Sequence, residues 1–145
     1  MEKEKNIIIT LNDIFYGLLI FEGEYLNGEK NGKGKEYFQD KLLFEGEYLN
    51  GKRWNGKGYN KNGNIEFEIK DGKGKIKEYY YDGKLIFEGE YLNGKRWYGK
   101  EYDYDGKLIF KGEYLNGERW NGKGKEYNSD QLIFEGEYLN GAKLI

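Results

Sequence analysis

The chain has 145 residues, and 34% of them are charged, yet the formal net charge is only −2 and the pI is near 5.4. That balance argues against a nucleic-acid binder, which carries a basic surplus, and against attachment to anionic lipid by charge alone. The absence of Cys and His removes disulfides, thiolate nucleophiles, imidazole bases and the usual zinc sites.

The N-terminal stretch MEKEKNIIITLND carries charges of both signs and one short apolar run, Ile7-Ile8-Ile9, too brief for a signal-peptide core or a membrane span. Residues 1–20 are expected to form an N-terminal cap, in a protein expected to be cytoplasmic. From residue 21 the chain repeats itself. FEGEYLNG begins at Phe21, Phe44, Phe87 and Phe134, FKGEYLNG begins at Phe110, and a degenerate copy, FEIKDGKGK, begins at Phe67. Recurrence every 20 to 24 residues marks an array of small units, each burying its apolar face against its neighbours.

No segment shows helical periodicity. In the first unit, Leu19 to Leu26 alternates apolar or small residues with glutamates, which is a strand signal. Asn27-Gly28 comes next as a hairpin turn, and Lys30 to Tyr37 returns as the second strand. A second turn closes each unit, at Asp82-Gly83 and Asp105-Gly106 and, less ideally, at Asp40-Lys41 and Asp130-Gln131. Each period is thus one hairpin. The hairpins are expected to join in a continuous, elongated, single-layer antiparallel meander of about eleven strands.

A two-residue turn sets Gly23 opposite Gly32, Phe21 opposite Gly34 and Glu22 opposite Lys33. Three units hold one extra residue in an Arg-Trp pair: Arg53-Trp54, Arg96-Trp97 and Arg119-Trp120. A three-residue loop there sets Gly46 opposite Gly56, Phe44 opposite Gly58, Glu45 opposite Lys57 and Trp54 opposite Tyr48. One face then holds Phe44, Gly46, Tyr48, Trp54, Gly56 and Gly58, with rings lying over glycines. The other holds Glu45, Glu47, Lys57 and Arg53 in cross-strand charge pairs.

The pattern F-x-G-x-Y-x-x-G, then W-x-G-x-G, then an Asp-Gly turn resembles the MORN repeat (membrane occupation and recognition nexus). Phe44, Gly46, Tyr48, Gly51, Gly56 and Gly58 carry it in the second unit, as do Phe21, Gly23, Tyr25, Gly28, Gly32 and Gly34 in the first. Phe110, Gly112, Tyr114, Gly117, Gly122 and Gly124 carry it in the fifth. The resemblance runs from Phe21 to about Tyr138, with the last unit partial. The Phe67 unit departs by lacking the Gly-x-Tyr strand, and the Phe87 unit by placing Glu101 where the second glycine belongs. The resemblance implies an elongated β-meander and a protein-interaction or scaffolding module, in some relatives tied to membranes or phosphoinositides. Related bacterial repeats imply an antitoxin-like inhibitor as an alternative.

Catalytic readings are weaker. Asn-Gly-Lys-Gly-Lys at 31–35 and 121–125 lacks the Ser or Thr and the subsequent helix of a phosphate loop. Glutamate pairs such as Glu45 with Glu47 recur in nearly every copy and face lysines, whereas a catalytic pair is a local exception. Asp82, Asp103 and Asp105 lack EF-hand spacing. The expectation is a noncatalytic protein with no cofactor and no metal. Its partner is a protein or a second copy of the chain, with lipid or glycan as lesser alternatives and no nucleic acid. Candidate contact residues are Trp54, Trp97, Trp120, Tyr48, Tyr91 and Tyr114, because aromatic and Arg side chains dominate interfaces and one layer leaves its rings uncovered.

Overall fold

The computed structural model describes residues 4–13, 17–80 and 83–144, with side chains from Ile20 onward. Residues 1–3 and 14–16 of the expected cap, Asp82 of one expected turn, and Ile145 lie outside them. The described residues form thirteen strands and no helix. Strands β1 (Glu4–Asp13), β2 (Gly17–Leu26), β3 (Glu29–Phe38), β4 (Lys41–Leu49), β5 (Lys52–Tyr59) and β6 (Ile65–Ile69) make one antiparallel sheet in sequence order. Strands β7 (Gly74–Tyr79), β8 (Leu85–Leu92), β9 (Lys95–Tyr102), β10 (Leu108–Leu115), β11 (Glu118–Asn128), β12 (Gln131–Leu139) and β13 (Ala142–Lys143) make a second. Two strands beyond those expected are β1, which pairs along β2, and the short β13 after the last Asn-Gly turn.

The expected single continuous sheet is therefore two, in units of residues 1–74 and 75–145. The division falls in the degenerate Phe67 unit. There Ile69 stands at the template's first glycine, opposite Gly56, and Ile76 stands at the second. Both isoleucines are buried, and the ladder after β6 shrinks to one bridge, Lys70 with Lys73. A branched side chain cannot reproduce the close strand approach that glycine allows.

The Asn-Gly pairs form the predicted turns. Asn27, Asn50, Asn93, Asn116 and Asn140 have φ of 50–54° and the glycines after them 77–85°, so both central residues are left-handed, as a type I′ turn needs. The two less ideal turns sit one residue earlier than expected: they are Gln39-Asp40 and Ser129-Asp130 rather than Asp40-Lys41 and Asp130-Gln131.

Register in the first hairpin also differs. Tyr25 pairs with Lys30, as a two-residue turn dictates, but beyond it Gly23 pairs with Gly34, Glu22 with Lys35 and Phe21 with Glu36. The return strand bulges at Asn31 to Lys33, where Gly32 has φ 98° and the Glu24 carboxylate accepts the Lys33 N–H at 3.0 Å. The shift aligns a row of glycines across four strands, Gly23, Gly34, Gly46 and Gly56. The second sheet has its own row, Gly89, Gly99, Gly112 and Gly122.

Rings rest on these rows. A Cβ added to Gly34 would lie 2.6 Å from Phe21 and 2.9 Å from Tyr48; one on Gly99 would lie 2.7 Å from Phe87. The core is accordingly aromatic: Phe21, Tyr25, Phe44 and Tyr48 in the first sheet, Phe87, Phe110, Tyr114 and Tyr138 in the second. Successive rings meet edge to face, as in Phe21–Tyr48 (5.1 Å), Phe87–Tyr114 (5.6 Å) and Phe110–Tyr138 (5.3 Å). Each such contact contributes about 0.5–1.5 kcal/mol beyond area burial.

A Val side chain at Gly46 would overlap the Asn55 carbonyl oxygen and lie 2.6 Å from the Gly56 Cα. Gly46→Val is expected to cost about 1–3 kcal/mol by overpacking, whereas Glu47→Gln on the exposed face should cost less than about 1 kcal/mol. Thermal or urea melts of the two variants check the difference.

Candidate interaction surface

The Arg-Trp insertion determines what each face presents. The turn keeps two residues, and the extra residue enters the strand as a bulge instead. Tyr48 pairs with Arg53 and Glu47 with Asn55, which leaves Trp54 unpaired. The same happens at Trp97, between Arg96 and Tyr98, and at Trp120, between Arg119 and Asn121. Two expectations are corrected. Trp54 does not stand opposite Tyr48, and Arg53 belongs to the aromatic face rather than the charge face, because one extra residue inverts the facing of those before it.

On the aromatic face each arginine lies over a phenylalanine: Arg53 on Phe44 at 4.7 Å, Arg96 on Phe87 at 4.6 Å and Arg119 on Phe110 at 5.1 Å. Each also reaches a glutamate one hairpin earlier. Arg53 pairs with Glu36, Arg96 donates to Glu78 at 2.9 and 3.1 Å, and Arg119 donates to Glu101 at 3.0 and 2.9 Å. Tyrosine hydroxyls join them: Tyr91 donates to Glu78 at 2.7 Å and Tyr114 to Glu101 at 2.8 Å. The last copy substitutes Lys143, which pairs with Glu126 and lies over Phe134 at 5.2 Å. A guanidinium that satisfies a carboxylate while covering a ring contributes to the complete burial of Phe44, Phe87 and Phe110.

Glu101 is not a lost glycine contact. It pairs across the strands with both Phe87 and Phe110 and accepts from two residues of the next hairpin. The signal for these carboxylates was a recurring Lys-Glu-Tyr, at Glu36, Glu78, Glu101 and Glu126. Burial alone would raise the Glu36 and Glu101 carboxyls, but the arginines beside them hold both below the ordinary glutamate value. Burial, then the charge of Glu101, pushes the Tyr114 phenol well above its ordinary value.

The six candidate contact residues separate. Tyr48 and Tyr114 are core, and Tyr91 is half-buried under its bond to Glu78. Trp54 and Trp120 are half-buried; their carbonyls accept the N–H of the next hairpin's turn glycine, Gly72 and Gly141, both at 2.9 Å. The asparagine after each tryptophan reinforces that link: Asn55 accepts from Asp71 N–H at 2.8 Å and Asn121 from Asn140 N–H at 2.9 Å. After Trp97 the chain has Tyr98 instead. Trp97 is 48% exposed and Tyr98 45%. Leu115 and Leu139, which each precede an Asn-Gly turn of the same sheet, are 48% and 51% exposed. The hairpin rim of residues 75–145 thus carries solvent-facing aromatic and aliphatic groups, of which sequence reasoning had singled out only Trp97.

Among the described residues no group of three or more His, Cys, Asp or Glu side chains could hold a metal ion, and no helix is long and apolar enough to cross a membrane. Comparison with protein-family models, with curated proteins and with solved structures finds no match to this chain.

Because the folded-state values of Glu36 and Glu101 are depressed, their stabilisation is complete above the ordinary glutamate pKa of about 4.3 and is lost as pH falls through the depressed values. Glu101→Gln is expected to lower stability at neutral pH by about 1–3 kcal/mol and to flatten the acid limb. Melts across the acid range read both effects.

Proposed function

We propose that this protein is a noncatalytic protein-interaction scaffold or adaptor built from MORN-type repeats. On this reading it docks a protein partner on the hairpin rim of its second unit. The observation that carries the reading is the distribution of rings. The ladder residues Phe87, Phe110 and Tyr114 are buried beneath arginines, while Trp97 and Tyr98, side by side in the strand, remain about half exposed. Trp and Tyr are over-represented among interface residues whose loss is costly, and an apolar cluster kept in water marks a contact surface. Supporting it, Leu115 and Leu139 extend the apolar character to the neighbouring hairpins, and repeat arrays commonly bind through such extended surfaces.

Trp97→Ala is expected to weaken partner binding, or self-association if the partner is a second copy, by about 2 kcal/mol or more while leaving the melting midpoint nearly unchanged. Lys57→Ala in the first sheet should have little effect on either. Sedimentation velocity on the protein alone, and titration calorimetry with a partner identified by cross-linking in the native organism, measure the two forms. Undiminished assembly and affinity in folded Trp97→Ala protein would refute this docking surface.

A further inference from the structure

The face opposite the rings follows a charge code in one sheet and breaks it in the other. Across the first sheet, the facing residues run Glu22, Lys35, Glu45, Lys57 and Glu68, so the sign alternates at every strand from β2 to β6. The equivalent row of the second sheet runs Glu88, Lys100, Lys111, Lys123 and Glu137. The break comes from one residue. Four copies of the repeat read FEGEYLNG, whereas the Phe110 copy reads FKGEYLNG. A glutamate at position 111 would restore strict alternation.

Like charges directly opposite each other in a sheet are destabilising, so Lys111 opposes the folding of its own sheet. It is exposed, and so is Lys123. The glutamates at the ends of the row do not neutralise the centre. Glu88, which faces Lys100, accepts instead from the Tyr102 hydroxyl at 3.2 Å. Among the described residues, none of the three ammonium groups is held in an ion pair. Beside the row, Tyr98 pairs across the strands with both Glu90 and Glu113, and its ring is half exposed.

We propose that Lys100, Lys111 and Lys123 form a binding site for a short acidic peptide segment of a partner protein. With strands about 4.8 Å apart, three ammonium groups span roughly 10 Å, and an extended peptide carries same-side residues about 6.8 Å apart, so two of its carboxylates fit the row. The surrounding carboxylates select the size of the ligand. Glu88 and Glu137 close the two ends, and Glu113 stands two residues from Lys111 on the same face. A broad anionic surface, such as a bilayer or a duplex, would meet these glutamates at once, whereas a short segment meets the lysines alone. The site does not use the bulge tryptophans, so it stands or falls apart from the rim.

The test is fluorescence anisotropy with a fluorescein-labelled hexaglutamate peptide at low salt. Wild-type protein should bind it, and added salt should weaken the complex. Lys111→Glu is expected to reduce affinity at least roughly tenfold and Lys111→Gln by a smaller factor, while Lys57→Glu in the first sheet changes it less than about twofold. Lys111→Glu should raise the thermal midpoint or leave it unchanged, and Trp97→Ala should bind the peptide as wild type does. Absence of peptide binding would overturn the proposal, as would equal losses in Lys57→Glu and Lys111→Glu. A lowered midpoint in Lys111→Glu would overturn it by making the row structural. Tighter, Lys111-dependent binding to phosphatidylserine vesicles than to the peptide would overturn it in favour of a lipid surface.

Discussion

An aromatic ring packed against a glycine of the neighbouring strand sets the geometry of both sheets. Phe21 on Gly34, Phe87 on Gly99 and Phe110 on Gly122 are too close for any Cβ to intervene. The glycines therefore line up in rows, because a ring anchored on one strand must find a missing side chain on the next. This constraint outranks turn geometry. In the first hairpin the Asn27-Gly28 turn alone would pair Gly23 with Gly32, yet the strand bulges between Asn31 and Lys33 so that Gly34 comes beneath the Phe21 ring. The bulge interrupts regular ladder pairing at residues 31–33, and the Lys33 N–H goes to the Glu24 carboxylate instead.

Rings packed on glycines still need a cover on the side away from the sheet. Arginine supplies it because its planar guanidinium can stack on a ring and still present a fork to a carboxylate. The Arg-Trp insertion makes this geometry available: the bulged tryptophan turns the preceding arginine onto the ring face. Each arginine then reaches the Lys-Glu-Tyr glutamate of the hairpin before it, so that every such hairpin is bonded to its predecessor through side chains as well as through the ladder. Turn glycines donating to the carbonyls of Trp54 and Trp120 make a parallel link along the rim. Neighbour-to-neighbour bonding of this kind is how a repeat array gains cooperativity without a central core.

Strands, Asn-Gly turns and the glycine-ring face were legible in the sequence because each depends on local spacing. Asn50-Gly51 needs only its own positive φ values, and Gly46 faces Gly56 whether the residue added at Arg53-Trp54 lengthens the loop or bulges the strand. The facing of Arg53 was not legible. An extra residue between two strands can lengthen the loop or bulge the strand, and the choice rests on what the arginine finds on the ring face, namely Phe44 on the preceding strand and Glu36 one hairpin earlier. The division into two sheets was half legible. The Phe67 unit announced itself as degenerate, but only the register shows Ile69 standing opposite Gly56, where a glycine had continued the row in every strand since β2.

In a repeat protein the array itself provides the control for reading a departure. Ile69 and Ile76 are buried, so their departure from glycine acts on packing and ends a row. Glu101 looks like a departure only against the neighbouring copy; at Glu36 the same residue does the same work between two phenylalanines, so it belongs to the structural code. Tyr98 and Lys111 are different. Tyr98 gives up the carboxamide that Asn55 and Asn121 use to hold the next turn, and it gains no burial. Lys111 gives up an alternating charge row and gains no ion pair among the described residues. Residues that loosen a repeated contact without a structural return are where selection for something other than folding is most visible. These two lie on paired strands, Tyr98 opposite Glu113, two residues along from Lys111. One hairpin and its neighbour thus carry both departures, so the two contact surfaces proposed above both draw on the middle of the second sheet.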